Sequence, residues 1–518
     1  MYDLIIKNGK IINGTGSPSF FIDNAIADGK IVCIRKALSG AKQISDAKGL
    51  TLTPGFIDSH SHSDNAILTY PDMTEKIEQG ITTSIAGQCG GSPAPLSCDF
   101  NTEKAVEFEG IGKETEICRT FGTFLDAVKN IPLGSNNACL VGHGAIRMAV
   151  MGRDNREPKK EELEKMKELL KDAMEHGALG ISFGLIYPPG SFAKTDELIE
   201  MAKVVENYHG IVAAHIRGEG INLIKSTEEF IKVIRESGAR GVLSHHKAAG
   251  DKKNWGKASH TLRMIESAND EGLDIYCDVY PYNATHTTLS VTLVPGTDGG
   301  KDLMRRLSDC EERKKLKEWG RERWGEDLSW IQITVCKAYP EYEGLRASEI
   351  AKLRGTDVYD AMYDIIADSE NKCSACYFTM CEEDIETVLA YQRAMVCTDA
   401  SVAKANKVYH PRLKGSFPRV LGRYVRERGV TTLPEMIRKM TSMPACVYGL
   451  KTKGLIWEGM DADICIFDAD KIIDRAEYTN CNQRAEGLNY VILGGEVVVE
   501  DAVYKGKRMG RVLLRAEQ

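Results

Sequence analysis

The sequence predicts an α/β fold, a (β/α)8 barrel joined to a small β-sandwich that both chain ends build. Two patterns predict it: the ends are rich in short strand-like runs, and between them such runs alternate with helical patterns. At 518 residues the chain is too long for one ordinary core, so one large domain and one smaller one are expected.

Residues 1–52 read as short strands at Leu4 to Ile6, Ile11-Ile12, Ala25 to Ala27 and Ile31 to Ile34, separated by Asn8-Gly9, Asn13-Gly14 and Asp28-Gly29 turns. Residues 451–518 match them, with strands expected at Gly454 to Ile456, Ala462 to Phe467 and Tyr490 to Leu493. Two such ends around a mixed middle imply that the termini pair into one sandwich. The barrel is assigned to residues 53–450. Its eight strands are the Phe56-Ile57-Asp58 run, Thr82 to Ala86, Ala138 to Val141, Ala178 to Phe183, Ile211 to Ala214, Gly241 to Leu243, Leu273 to Val279 and Ala394 to Cys397. Between strands, residues 159–176 carry Leu163, Met166, Leu169, Leu170 and Ala173 at helical spacing, with Gly177 as the stop. The interval of about 289–380 has its own strand, Ile331 to Val335, and is read as an insertion near the barrel mouth.

Composition narrows the function. Hydrophobic content of 42% and charged content of 27% are those of a globular protein, and a net charge of -7 offers no broad basic surface for nucleic acid or anionic membrane. The partner expected is a small-molecule substrate, and a homo-oligomer is left open. The first residues carry no signal-peptide pattern, and no run approaches a membrane span. Fifteen scattered cysteines then point to reduced thiols in a cytoplasm. Cys373-x-x-Cys376 lacks a second pair and lies beside an apolar run, so it reads as structural.

The chemistry begins at Gly55-Phe56-Ile57-Asp58-Ser59-His60-Ser61-His62. Alternation along a strand sends His60 and His62 the same way, and imidazoles suit zinc and similar divalent ions. Polar residues at the other C-terminal strand ends, where such barrels place their sites, add Cys89, His215, His245 and Asp399. Singly, Cys89 reads as a structural thiol, Asp399 as a helix N-cap, His60 and His62 as surface histidines, and His215 and His245 equally as ligands or core residues. Together they read as one metal site. Alternation also places Lys247 beside His245, Arg217 beside His215 and Tyr280 beside Tyr282, with His246 facing the helices.

The whole chain resembles the metal-dependent amidohydrolase superfamily and, within it, the D-aminoacylase (N-acyl-D-amino-acid deacylase) family. The resemblance rests on Gly55 to Asp64, Gly87-Gln88-Cys89-Gly90, Ala214-His215-Ile216-Arg217, Ser244-His245-His246-Lys247, Tyr280-Pro281-Tyr282 and His410-Pro411-Arg412. Sister branches bridge two metals with a strand-four lysine, and Gly177 to Phe183 contains none. The resemblance therefore gives bridging to Cys89. It implies one tight zinc on Cys89, His215 and His245, and a second, weaker site completed by His60, His62 and Asp399. It also implies that Lys247, Tyr280 and Arg412 grip the substrate's α-carboxylate, with Tyr282 as the alternative tyrosine.

The implied reaction is hydrolysis of the amide of N-acyl-D-amino acids, with Asp399 moving the proton. Tyr187, just past the fourth strand, is either an oxyanion donor or a packing residue. A cyclic amide or amidine hydrolase is the enzymatic alternative, and a catalytically silent structural paralogue the non-enzymatic one. The stretch Leu293 to Gly299 is the expected side-chain selector, and its lack of an arginine favours a neutral side chain.

Overall fold

In a computed structural model of the chain, residues 1–515 are described except 109, 298 and 403–407. Asp298, inside the expected selector stretch, thus lies outside the described residues.

Eight parallel strands organise the middle of the chain: β1 Phe56–Asp58, β2 Ile81–Ala86, β3 Asn136–Cys139, β4 Gly180–Gly184, β5 Ile211–His215, β6 Arg240–Leu243, β7 Ile275–Val279 and β8 Ala394–Val396. Each was legible as an apolar run, because strands covered on both faces need apolar side chains on both. Pairing is parallel from β1 through β2 to β3, and from β4 through β7 to β8. Past Leu140 the chain of β3 resumes as Val141–Gly142, which pairs with β4. At the other junction Ser59 donates both its N–H and its hydroxyl to the Val396 carbonyl, and Ser61–His62 pairs with Ala400–Ser401. Ile57, Ile85, Leu140, Leu179, Ala213, Val242 and Met395 share one apolar cluster with Met443, Tyr448, Leu450 and Leu513.

Helices cover the strands as the period of 3.6 requires. Lys160–Glu175 buries Met166, Leu170, Ala173 and Met174, and Gly177 follows in the left-handed region at φ +103°.

The chain ends form two sheets. One orders Lys30–Arg35, Asp23–Ala27, Tyr2–Lys7 and Ala41–Asp46. The other runs from Val503–Tyr504 through Glu496–Glu500, Leu488–Leu493, Ile464–Phe467, Thr51–Pro54 and Lys10–Ile11 to Phe20–Phe21. Leu4, Ile6, Ile26 and Ile31 pack with Leu52, Ile464, Ile466 and Ile492, so both ends share one core. Thr51–Pro54 carries this sheet two residues past the expected boundary at 52. Gly454 to Ile456 is not a strand: Ile456 makes a single backbone bond to Asn13 in a turn-rich segment, too little for a ladder. Nor does the C-terminal segment stay with the sheet, since Gly510 and Val512 bridge to Leu133 and Asn137 beside β3.

The interval of about 289–380 has a core of its own, and its sheet takes in the preceding strand. Thr285–Thr288, Ser374–Tyr377 and Ile331–Val335 form an antiparallel sheet, and Leu289, Leu303, Ile333, Tyr363 and Tyr377 cluster apart from the main core. Cys373 and Cys376 are buried there, and neither is in a disulfide. No helix among the described residues is long and apolar enough to cross a membrane.

Candidate metal centre and active site

The C-terminal ends of the strands open into a cavity of about 740 Å³. Its wall includes His62, Cys89, Tyr187, His215, His245, Lys247, Tyr280, Asp399 and Arg412. His60 lies fully buried behind it, with its ring 4.8 Å from that of His245.

Cys89 is the hub. Its Sγ lies 3.4 Å from His60 Nε2, 3.7 Å from His215 Nδ1 and 3.3 Å from His245 Nε2. A thiolate and an imidazole on one tetrahedral zinc are separated by about 3.5 Å, from metal bonds of about 2.3 and 2.0 Å. Asp399 Oδ1 stands 3.5 Å from His60 Nε2 and 3.2 Å from His62 Nε2. One sulfur, imidazoles and a carboxylate therefore converge at ligand-to-ligand distances, and this donor set suits a divalent metal of zinc's softness. The opposite ring nitrogens, His215 Nε2 and His60 Nδ1, face carboxylates instead, Glu219 Oε2 at 3.6 Å and Asp278 Oδ1 at 3.8 Å.

The backbone pays locally for this convergence. Cys89, His245 and Asp399 have φ of +54°, +35° and +48°, a region that costs a side-chain-bearing residue free energy. Each stands two or three residues beyond its strand, where the chain turns sharply to aim the side chain inward. Close packing holds the turn at Cys89: a Cβ on Gly184 would sit 1.9 Å from the Cys89 carbonyl oxygen.

Electrostatics follow from burial and from neighbours. Burial alone would raise the Asp399 carboxyl, but the Arg412 guanidinium, with His245 and His62, outweighs it and holds the group well below the usual carboxylate range. Burial pushes His215 down to about 3, which keeps its imidazole neutral and able to bind a metal. Burial and the nearby Asp399 raise the Cys89 thiol, and a bound cation reverses that balance by stabilising the thiolate. Burial also raises the Tyr187 phenol, so it stays a proton donor.

The remaining expected residues divide. Lys247 Nζ lies 2.8 Å from His245 Nδ1, and 5.6 Å over the Tyr280 ring. Arg412 covers the same ring at 4.8 Å and donates to Asp399 Oδ2 at 2.6 Å. Tyr187 packs its ring 5.3 Å from that of His215. Tyr282, expected beside Tyr280, is instead turned away: its hydroxyl donates to Asp474 at 3.0 Å. Alternation fails there because β7 ends at Val279 and the Tyr282 N–H turns back onto the Tyr280 carbonyl. Arg217 likewise leaves His215 and binds Glu229 at 3.0 Å. His246 faces the helices as expected, 2.9 Å from the Thr261 hydroxyl.

Sequence reasoning missed two acids, the half-buried Glu219 and the buried Asp278. Glu219 accepts from Lys247 at 2.5 Å and lies 3.0 Å from His245 Nδ1 and 3.6 Å from His215 Nε2. It stands four residues past His215, in a loop without periodicity. Asp278 accepts the His245 N–H at 2.5 Å, and burial pushes its carboxyl up to about 7. An acid inside the apolar run of β7 was the signal that could have found it. The selector stretch also gave an incomplete list, because Arg323 and Trp324, from a helix well downstream, line the cavity.

A model of the amidohydrolase family matches residues 43–313 and 393–499, and the unmatched stretch between them overlaps the interval of about 289–380. The chain belongs to the amidohydrolase family. This amidohydrolase is 35% identical to a D-aminoacylase of Alcaligenes xylosoxydans xylosoxydans, over 99% of its own length and 98% of the relative's. It is 34% identical to an N-acyl-D-glutamate deacylase of the same organism, over 99% and 96% of the two chains. Among solved structures, an N-acyl-D-glutamate deacylase from Bordetella bronchiseptica, complexed with zinc and a phosphonate inhibitor, superposes with a TM-score of 0.85 at 33% identity, covering 99% of each chain.

Proposed function

We propose that this amidohydrolase is a zinc-dependent hydrolase of N-acyl-D-amino acids, releasing a carboxylate and a free D-amino acid. The observation that carries the reading is the pairing of two sets of groups on one cavity wall. Cys89 stands among three imidazoles, and Lys247 and Arg412 flank Tyr280 beside it. The first set suits a metal; the second suits an anion. Full-length likeness to D-aminoacylases and deacylases supports the same reaction.

Cys89, His215 and His245 would hold the tight zinc, and His60, His62 and Asp399 a second, weaker one. When bound, zinc supplies a hydroxide at neutral pH and polarises the acyl oxygen. Asp399 takes the proton of the attacking water and returns it to the leaving amine. Tyr187, protonated and beside His215, donates to the oxyanion that forms. Arg412 and Lys247 orient the substrate through its α-carboxylate, and Arg412 offers the planar fork that matches that group. Two points of attachment, carboxylate and acyl group, leave room for the side chain on only one hand of the α-carbon. The phenol of Tyr280, under both cations, is the tyrosine of this grip.

The architecture fits that division of labour. The eight strands close into a barrel through the Ser59–Val396 and Ser61–Ala400 contacts, residues of about 1–52 and 451–518 make the β-sandwich, and the insertion of about 289–380 roofs the cavity. Free cysteines throughout suit a reducing cytoplasm.

The test is a screen of N-acetyl-D- and N-acetyl-L-amino acids against zinc-loaded protein, repeated after chelation. Turnover of the D series alone, lost on chelation and restored by zinc, is expected. A preference for L-substrates, or full activity in the presence of the chelator, would sink the reading.

A further inference from the structure

A second cavity, of about 410 Å³, is lined by Cys89 and Tyr187 but not by Lys247 or Arg412. Its wall is made by Gly91, Leu96, Ala145, Met148 and Pro189 among others, and no Asp, Glu, Lys or Arg of the described residues lines it. The main cavity has the same two residues at its edge but contains the cations, Lys247 and Arg412. A third cavity, beyond Tyr187, is lined by Arg153, Lys194 and Glu229 and does not reach Cys89.

The local fold keeps this groove open. The helix His143–Met151 is tied to the metal loop by the Ala145 N–H, which donates to the Gly90 carbonyl at 3.1 Å. A Cβ on Gly144 would stand 2.7 Å from that carbonyl oxygen, so only glycine lets the helix come this close. Ala145 and Met148, one turn apart, then present their side chains to the groove.

We infer that this groove is the acyl subsite, and that it fits straight apolar acyl chains well beyond acetyl. The inference rests on the amide hydrolysis proposed above. With the α-carboxylate at Lys247 and Arg412 and the scissile carbon beside Cys89 and Tyr187, the acyl tail leaves in the opposite direction. The uncharged groove is the cavity that meets Cys89 and Tyr187 without those cations. Its volume exceeds what a methyl group needs many times over, whereas each added methylene buried against Leu96 and Met148 strengthens binding about fourfold.

The experiment measures kcat/KM of the zinc-loaded enzyme on D-leucine carrying formyl, acetyl, butyryl or hexanoyl groups. The parent is expected to hold or raise kcat/KM from acetyl to hexanoyl. Ala145→Phe, which fills the groove, is expected to lose at least tenfold more on the hexanoyl than on the formyl substrate. Met148→Ala, which removes part of the apolar wall, is expected to lose more on the hexanoyl than on the formyl substrate and serves if the phenylalanine variant fails to fold. A tenfold fall from acetyl to hexanoyl in the parent, or equal losses across the series in both variants, would overturn the subsite. Binding of the product anions is a second readout independent of turnover. By calorimetry hexanoate should bind at least tenfold more tightly than acetate to the parent, and Ala145→Phe should erase the difference. Equal affinities refute the groove; absent turnover with that difference intact refutes only the reaction.

Discussion

Asp399 divides its two oxygens between two tasks, Oδ1 toward the imidazoles of His60 and His62 and Oδ2 against Arg412. Removing its charge should cost the proton transfer while leaving the fold, so Asp399→Asn is expected to lower kcat by roughly two to four orders of magnitude. Circular dichroism matching the parent, with near-normal kcat, would require another base. Arg412 bears on the same carboxylate as well as on the proposed substrate anion. Losing one charge-assisted hydrogen bond costs about 1.5 to 3 kcal/mol, roughly ten- to more than a hundredfold in kcat/KM. Arg412→Met should therefore weaken N-acyl-D-amino acids by that factor beyond its effect on the matching carboxamides. A loss common to acid and amide reports the Asp399 contact; the excess on the acid reports the grip, and no excess would remove Arg412 from it. At this scale His60, His62, Cys89, His215, His245 and Asp399 were legible because each ends a strand-like run. Glu219 was not, because it lies on a loop that only the fold brings back over His215 and His245.

The element that aims Asp399 is the short connection after β8. Its geometry rests on a buried pair: Lys76 Nζ binds Asp58 Oδ2 at 2.8 Å, the Thr398 hydroxyl at 2.6 Å and the Ala400 carbonyl at 3.1 Å. Asp58 in turn accepts the Thr398 N–H at 2.8 Å, so both residues flanking Asp399 are tied to β1. Lys76 and Asp58 side chains are fully shielded from solvent. Breaking a buried pair from one side costs about 3–5 kcal/mol, because the partner's charge stays behind unpaired. Lys76→Met is expected to lower the urea midpoint accordingly and to cut kcat, and a midpoint within error of the parent would show that the pair does not hold this loop. Nothing in the spacing of Lys76 announced this role. It lies in the four-residue helix Thr74–Ile77, remote in sequence from the residues it joins.

Across the whole molecule the last residues act far from the site. Val512, Leu513 and Leu514 are buried, and the segment bridges β3 while Leu513 joins the cluster inside the strands. Burying three such side chains contributes about 1.5 to 3 kcal/mol each, a sum comparable with the total stability of many proteins. Truncation after Arg508 is expected to shift the urea midpoint sharply downward and to abolish activity, although none of the described residues removed lines the cavity. A truncated chain with the parent's midpoint would show that these contacts add nothing.

The apolar runs announced the eight strands and the β-rich ends, since period and turn residues are local properties that a chain carries in its order. The same runs located the six candidate ligands by placing them at strand ends. Where the chain leaves a strand, period loses its meaning: Tyr280 and Tyr282, and likewise His215 and Arg217, were expected side by side and separate as soon as the backbone turns. The strained turns at Cys89, His245 and Asp399, the placement of the acids Glu219 and Asp278, and the path of residues 510–515 exist only through contacts between distant segments. Such contacts are settled by packing and desolvation across the folded molecule, and neither leaves a repeat in the order of residues.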